Sequence, residues 1–277
     1  MLLLHNFKAV KEEEFNLSYL NRGFQYNDGL FDTLVFTDGR IRFLHDHLDR
    51  LQRALGVLGL VLPEAWLRED LWQEQVAGLI RDNALEAPLV RVKANIWRQA
   101  GGLFTPESDQ GELLLAVSAQ PALPPLIREA GFVHSVPVPY SAFSFFKGPY
   151  ALHYVQASRE KKRLGWEEGI LLDTRGHVSE ALVANIFWLK DQVLYTPALE
   201  TGCIAGIMRL NVLRACQMLR LEVREGFFKE PDLMAADLVF TSNVTGLRAI
   251  GAIGDTGFAN SSVIYKALKE MVLSPYH

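Results

Sequence analysis

Cysteine is nearly missing from this chain. Cys203 and Cys216 are the only two among 277 residues. They have neither a metal-ligand spacing nor a disulfide framework, so a reducing, cytoplasmic setting is expected. Long apolar runs are missing as well: nothing approaches the roughly 18 to 20 residues needed to span a bilayer. The opening Met1-Leu-Leu-Leu-His5 soon meets Lys11-Glu-Glu-Glu14 and does not read as a secretory signal peptide. Nor is there an excess of positive charge. A net charge of −4 with both signs interspersed leaves no basic face for nucleic acid. There is no internal repeat, low-complexity tract or long linker. Small molecules or other proteins are therefore the expected partners, with no nucleic acid and no membrane. Apolar residues are plentiful, at 49% of the chain, enough for one large or two medium domains.

Leu44, Leu48, Leu51, Leu55 and Leu58 fall on one face of a helix from about 44 to 58, and Trp66 to Ala84 reads as a second helix. Val90 to Ile96 alternates apolar and polar like a half-buried strand, and Glu112 to Ala119 reads as a more fully buried one. Pro121-Ala-Leu-Pro-Pro125 then breaks regular structure. The expected division is a small N-terminal domain over 1–120, a linker over 121–125 and a larger domain over 126–277. In the second half, strands are expected at 132–138, 169–173 and 238–241, with a hairpin over 186–195. Helices are expected at 154–164 and from Ile207 towards Leu219.

Lys147 stands out within this frame. It closes the apolar run Tyr140-Ser-Ala-Phe-Ser-Phe-Phe146, read as a strand, and is followed by Gly148-Pro149. An ammonium there either snorkels to water or works as an amine of lowered basicity. Five other pieces would suit a phosphate-bearing aldehyde ligand. Gly206-Ile207-Met208-Arg209 places a glycine before a helix start, an anion site. Thr241 and Ser242 supply hydroxyls at a strand end, and Arg50 supplies a guanidinium within the first helix. Glu180 could keep a pyridine nitrogen protonated, or could be a solvated hairpin-end residue. Tyr26-Asn-Asp-Gly29 is a turn signal running into a strand.

In their order along the chain these pieces resemble the class IV aminotransferases, the fold-type IV enzymes that use pyridoxal 5'-phosphate. The resemblance runs from Arg22-Gly-Phe-Gln-Tyr-Asn-Asp-Gly-Leu-Phe-Asp-Thr33 through His47-Leu-Asp-Arg-Leu51 and Lys147 to Gly176-His-Val-Ser-Glu180, Gly202–Arg209 and the Thr241 strand end. It implies a mixed α/β, two-domain fold: a small N-terminal α/β domain and a larger, pseudo-barrel-like C-terminal one, in a homodimer. It also implies that Lys147 is the Schiff-base lysine and that Glu180 meets the pyridine nitrogen. Arg50, the amides of Ile207 and Met208, and Thr241 with Ser242 would hold the phosphate. Many members carry an Asn-Tyr pair after the lysine. This chain has Tyr150 and Ala151 there, so Tyr150 or Tyr154 is the candidate replacement.

The freed lysine would carry a proton from an amine substrate, leading to transamination or to β-elimination. The lack of an N-terminal extension fits the D-amino acid and lyase subgroups. Thr241-Ser-Asn-Val-Thr-Gly-Leu-Arg-Ala-Ile250 resembles 4-amino-4-deoxychorismate lyase, which releases pyruvate and 4-aminobenzoate for folate synthesis. A branched-chain or D-amino acid aminotransferase is the alternative, and a non-catalytic ligand- or partner-binding relative is a third reading. Tyr26, Arg98 and Tyr150 are the candidate substrate contacts, Arg98 either meeting a carboxylate or facing solvent. His45-Asp-His47-Leu-Asp49 has a spacing that could gather metal ligands, but it lies at a helix start and no other His/Cys cluster completes a site, so no metal is expected.

Overall fold

The strand Val90–Arg98 buries Val90, Val92, Ala94 and Ile96 and leaves Arg91, Lys93 and Asn95 half-buried, the period-two pattern visible in its sequence. It lies inside a six-stranded antiparallel sheet, in the computed structural model that describes residues 1–273. The sheet runs Lys8–Lys11, Leu2–His5, Gly111–Ala119, Val90–Arg98, Gly29–Thr37, Arg40–Ile41. The helices Leu44–Leu58 and Glu69–Asp82 pack against its buried face. Leu44, Leu48, Leu51 and Leu55 are the buried leucines of the first helix, each contributing about 1.5–3 kcal/mol of burial. That helix stops at Gly59, whose φ of 59° places it in the left-handed region that favours glycine. The second helix begins later than its sequence suggests, because Trp66 lies in a separate turn, Glu64–Leu67.

The chain divides into two compact units, residues 1–122 with 146–150, and residues 123–145 with 151–277. The short segment holding Lys147 thus groups with the first unit. The run expected as a strand before it is a turn. Ser144 Oγ accepts from the Ser141 amide and donates to the Pro139 carbonyl, while Ser141 Oγ accepts from the Phe143 amide. These local bonds give the backbone an alternative to a sheet ladder.

The second unit holds two sheets. One runs Val178–Ala181, Glu168–Asp173, Ala130–Val138, Ala252–Ile253, Thr256–Gly257. The other runs Val223–Gly226, Val193–Pro197, Asn185–Lys190, Leu238–Asn243, Gly246–Ile250, Leu126–Ile127. Ile127, Ile170, Val178, Ile186, Trp188, Val239 and Ile250 form one core from residues of both sheets. Helix Leu152–Leu164 covers the first sheet through Ala157 against Val133, Val138 and Leu171. Helix Ile207–Met218 packs on strand Leu238–Asn243 and on helix Val263–Leu273. Antiparallel and parallel pairs are mixed within both sheets, so the fold class is mixed α/β.

Candidate active site

Lys147 is fixed by its backbone before its side chain matters. Its carbonyl accepts from the Phe31 amide at 2.8 Å, tying residues 146–150 to the start of strand Gly29–Thr37. Phe146 beside it is buried. A Cβ on Gly148 would overlap the Tyr150 ring, so the glycine is what lets that ring lie against the backbone next to the lysine. Burial pushes the Tyr150 phenol up to about 12, and it stays protonated at neutral pH.

The charge of Lys147 bears on Asp32, the centre of a buried cluster. Arg50 Nη2 donates to Asp32 Oδ1 at 2.7 Å, and His47 Nδ1 lies 2.9 Å from Asp32 Oδ2. Burial alone would raise the Asp32 pKa. Arg50, His47 and Lys147 outweigh it and hold the carboxyl far below its ordinary range. Arg50, expected at a phosphate, therefore also anchors helix Leu44–Leu58 to the sheet. His47 points inward to Asp32, whereas His45 points outward to Glu69 and Asp49. Two residues apart on a helix they occupy different faces and cannot share a metal.

Arg98 is the most heavily bonded of the candidate substrate contacts. Expected either at a substrate carboxylate or facing solvent, it is 4% exposed, and the carboxylates it meets belong to the protein. Nε donates to Asp28 at 3.0 Å, Nη1 to Asp109 at 2.6 Å and to the Gly59 carbonyl, and Nη2 to the Leu58 carbonyl. Arg22 also donates to Asp28, and holds the carbonyls of Gly101 and Leu103. Together they brace the loop that carries Phe104, whose ring centroid lies 5.6 Å from that of Tyr26.

In the second unit Glu180 is 3% exposed rather than solvated. A register shift between Val178 and Glu180 re-aims the strand there. Tyr154 Oη donates to Glu180 Oε1 at 2.5 Å, and the Ile204 amide donates to Oε2 at 3.0 Å. Tyr154, one of the two candidate tyrosines, thus bonds this carboxylate.

From Ile204 the chain runs to Gly206, which starts helix Ile207–Met218 with no side-chain cap. The first amides of a helix have no intrahelical acceptor, so Ile207 and Met208 stand at a ready anion site. Gly206 is glycine for a steric reason: a Cβ would overlap Asn185 Oδ1. Asn185 Nδ2 donates to the Ile204 carbonyl at 2.7 Å, and Asn185 pairs in register with Ser242. The helix start and the strand end are thereby brought together. Ser242 Oγ, 1% exposed, has no hydrogen-bond partner, while the Thr241 hydroxyl donates at 3.4 Å to the Arg248 carbonyl. Arg209 anchors the helix by donating to the Pro197 carbonyl and to Glu225.

Cys203 is buried near the charge of Glu180. Burial and that charge push its thiol up to about 12, which removes it as a nucleophile. Asp32 and Asn185 were not singled out as site residues from sequence, and His47 was weighed there only as a metal ligand. Their only signals were an acidic residue in the Asp-Gly-Leu-Phe-Asp strand and an asparagine heading an apolar strand, and neither distinguishes scaffold from site.

Comparison with known proteins places these features in a family. The amino-transferase class IV family model matches residues 29–253. Aminodeoxychorismate lyase of Bacillus subtilis is 30% identical over 245 residues, covering 86% of this chain and 81% of that protein. The branched-chain-amino-acid aminotransferase of Escherichia coli is 23% identical over 266 residues, covering 90% and 84%. Among solved structures, 4-amino-4-deoxychorismate lyase from Pseudomonas aeruginosa superposes with a TM-score of 0.83 at 23% identity, covering 96% of each chain. The T.th. branched-chain amino acid aminotransferase with pyridoxamine 5'-phosphate gives 0.84 at 22% identity, covering 98% and 92%. With a family match over most of its length and a relative at that identity, this chain belongs to the amino-transferase class IV family.

Proposed function

We propose that this chain is a pyridoxal 5'-phosphate enzyme that converts 4-amino-4-deoxychorismate to 4-aminobenzoate and pyruvate. The observation that carries the cofactor is the buried, unpartnered Ser242 hydroxyl beside an uncapped, glycine-led helix start. A phosphate fits that cradle. Ser242 would donate to it, the amides of Ile207 and Met208 would face it, and Thr241 could turn its hydroxyl towards it. Arg50 is the candidate guanidinium. Glu180 is the candidate partner of the pyridine nitrogen, its oxygens aligned by Tyr154 and the Ile204 amide. When bound, the cofactor supplies an electron-withdrawing ring that stabilises negative charge on the amine-bearing carbon.

The chain's own residues supply the rest. Lys147 is the amine that would hold the cofactor and, when free, would carry protons. It removes the proton from the carbon bearing nitrogen. The neighbouring carbon–oxygen bond then breaks, and the departing enolate takes up a proton to become pyruvate. The preference for elimination is supported by the likeness to the Bacillus subtilis lyase. The Escherichia coli aminotransferase, matching 90% of this chain, supports amino-group transfer as the second reading, with a branched-chain or D-amino acid as donor. Both readings share Lys147, Glu180 and the phosphate cradle. We further propose a homodimer working in the cytoplasm; no helix among the described residues is long and apolar enough to cross a membrane.

Supplying 4-amino-4-deoxychorismate and following pyruvate tests the reaction. Pyruvate and 4-aminobenzoate should form in equal amounts without an added amino acceptor. Exchange on leucine or D-alanine, with no pyruvate from the chorismate, would exclude elimination.

A further inference from the structure

Lys93 presents its ammonium to the ring of Phe31 rather than to a carboxylate. It lies with Arg91 and Asn95 on the half-buried face of strand Val90–Arg98. Its neighbours across the sheet are Thr33 on one side and Ala116 on the other, neither able to neutralise it. Nζ sits 3.2 Å from the centroid of the Phe31 ring, and the ammonium forms no salt bridge or hydrogen bond with another described residue. The charges that act on it are Arg91 on its own strand, Lys147, and Asp32 on the neighbouring strand. The first two repel it. Asp32 attracts it but is already held by Arg50 and His47.

A half-buried cation in this position raises the free energy of the protein unless an anion joins it. Burial, Arg91 and Lys147 together bring its pKa down to about 8. Its closest aromatic contact, Phe31, donates its amide to the carbonyl of Lys147, so the two lysines are held by the same stretch of backbone. We propose that Lys93 is the carboxylate anchor of the substrate, its ammonium pairing with a carboxylate while Lys147 acts on the amine-bearing carbon. This rests on the reaction proposed above, whose substrate and aromatic product both carry a carboxylate. An ammonium over an aromatic ring gives that carboxylate a point charge and an apolar wall together.

The test compares 4-aminobenzoate with 4-aminobenzamide, the same ring without the charge, by calorimetry on the cofactor-loaded protein. The wild type should prefer the acid, and Lys93→Met should weaken binding of the acid about tenfold or more, the scale of one charge-assisted pair. Lys93→Arg should retain most of the acid affinity. The amide should bind wild type and Lys93→Met equally, which also shows that the variant is folded. Affinity of the wild type for the acid should fall as pH rises through about 8, and that dependence should vanish in Lys93→Met. Equal acid affinity in wild type and Lys93→Met overturns the inference alone. A cofactor-loaded wild type that binds no 4-aminobenzoate overturns the lyase reading, and this inference with it.

Discussion

Ser242 is a buried hydroxyl without a partner, a state that costs about 1–3 kcal/mol. In the proposed function its partner is the cofactor phosphate. Ser242→Ala should therefore leave the cofactor-free protein as stable as wild type, or more stable by about 1 kcal/mol, while weakening cofactor affinity about tenfold. Thermal melts with and without pyridoxal phosphate would check both halves. Asp32 should behave in the opposite way. Its folded-state pKa is depressed, so its stabilisation is present above the unfolded value near 3.9 and is lost as pH falls below it. Asp32→Ala strands the buried Arg50 charge and should cost about 3–5 kcal/mol at neutral pH, with a flatter acid limb in denaturant titrations. Lys147, Glu180 and Ser242 are proposed as site residues because their types suit the chemistry and their order matches a known pattern. Arg98 was open in the sequence between a substrate carboxylate and solvent. Its real partners, Asp28 and Asp109, lie 70 and 11 residues away in sequence, and only the folded register pairs them.

At the scale of elements, the helix start at Gly206 sets the shape of the proposed phosphate cradle. Its glycine was legible as an anion signal, but the reason for it was not. Asn185 occupies the space a Cβ would need, and that residue arrives from a separate strand. Gly206→Ala should destabilise the protein by about 1–3 kcal/mol through overpacking and should weaken phosphate binding. Adding Asn185→Ala should recover part of the stability, which a double-mutant cycle on denaturation midpoints would show. The strong periodic elements were legible, as in Leu44–Leu58 and Val90–Arg98, since one face of each is buried. The Tyr140–Phe146 run was misread as a strand because its apolar content hid the turn bonds of Ser141 and Ser144.

Over the whole molecule, family and fold class were legible because the motifs keep their order and intervals from Arg22 to Arg248. Less legible was the division into units. A proline-rich break predicts a single crossing, whereas residues 146–150 rejoin the first unit and take Lys147 with them. No local pattern reports such a return; the bond from the Phe31 amide to the Lys147 carbonyl does. If pyridoxal phosphate binds only the folded protein, a hundredfold excess over its dissociation constant should stabilise it by about 2.7 kcal/mol, seen as a rise in melting temperature. The central claim is that Lys147 holds this cofactor covalently, and borohydride reduction followed by peptide mass analysis tests it most directly. A single reduced phosphopyridoxyl adduct is expected on the peptide containing Lys147, and none in folded Lys147→Ala. An unmodified Lys147 in protein saturated with the cofactor, or an adduct on another lysine, would contradict it.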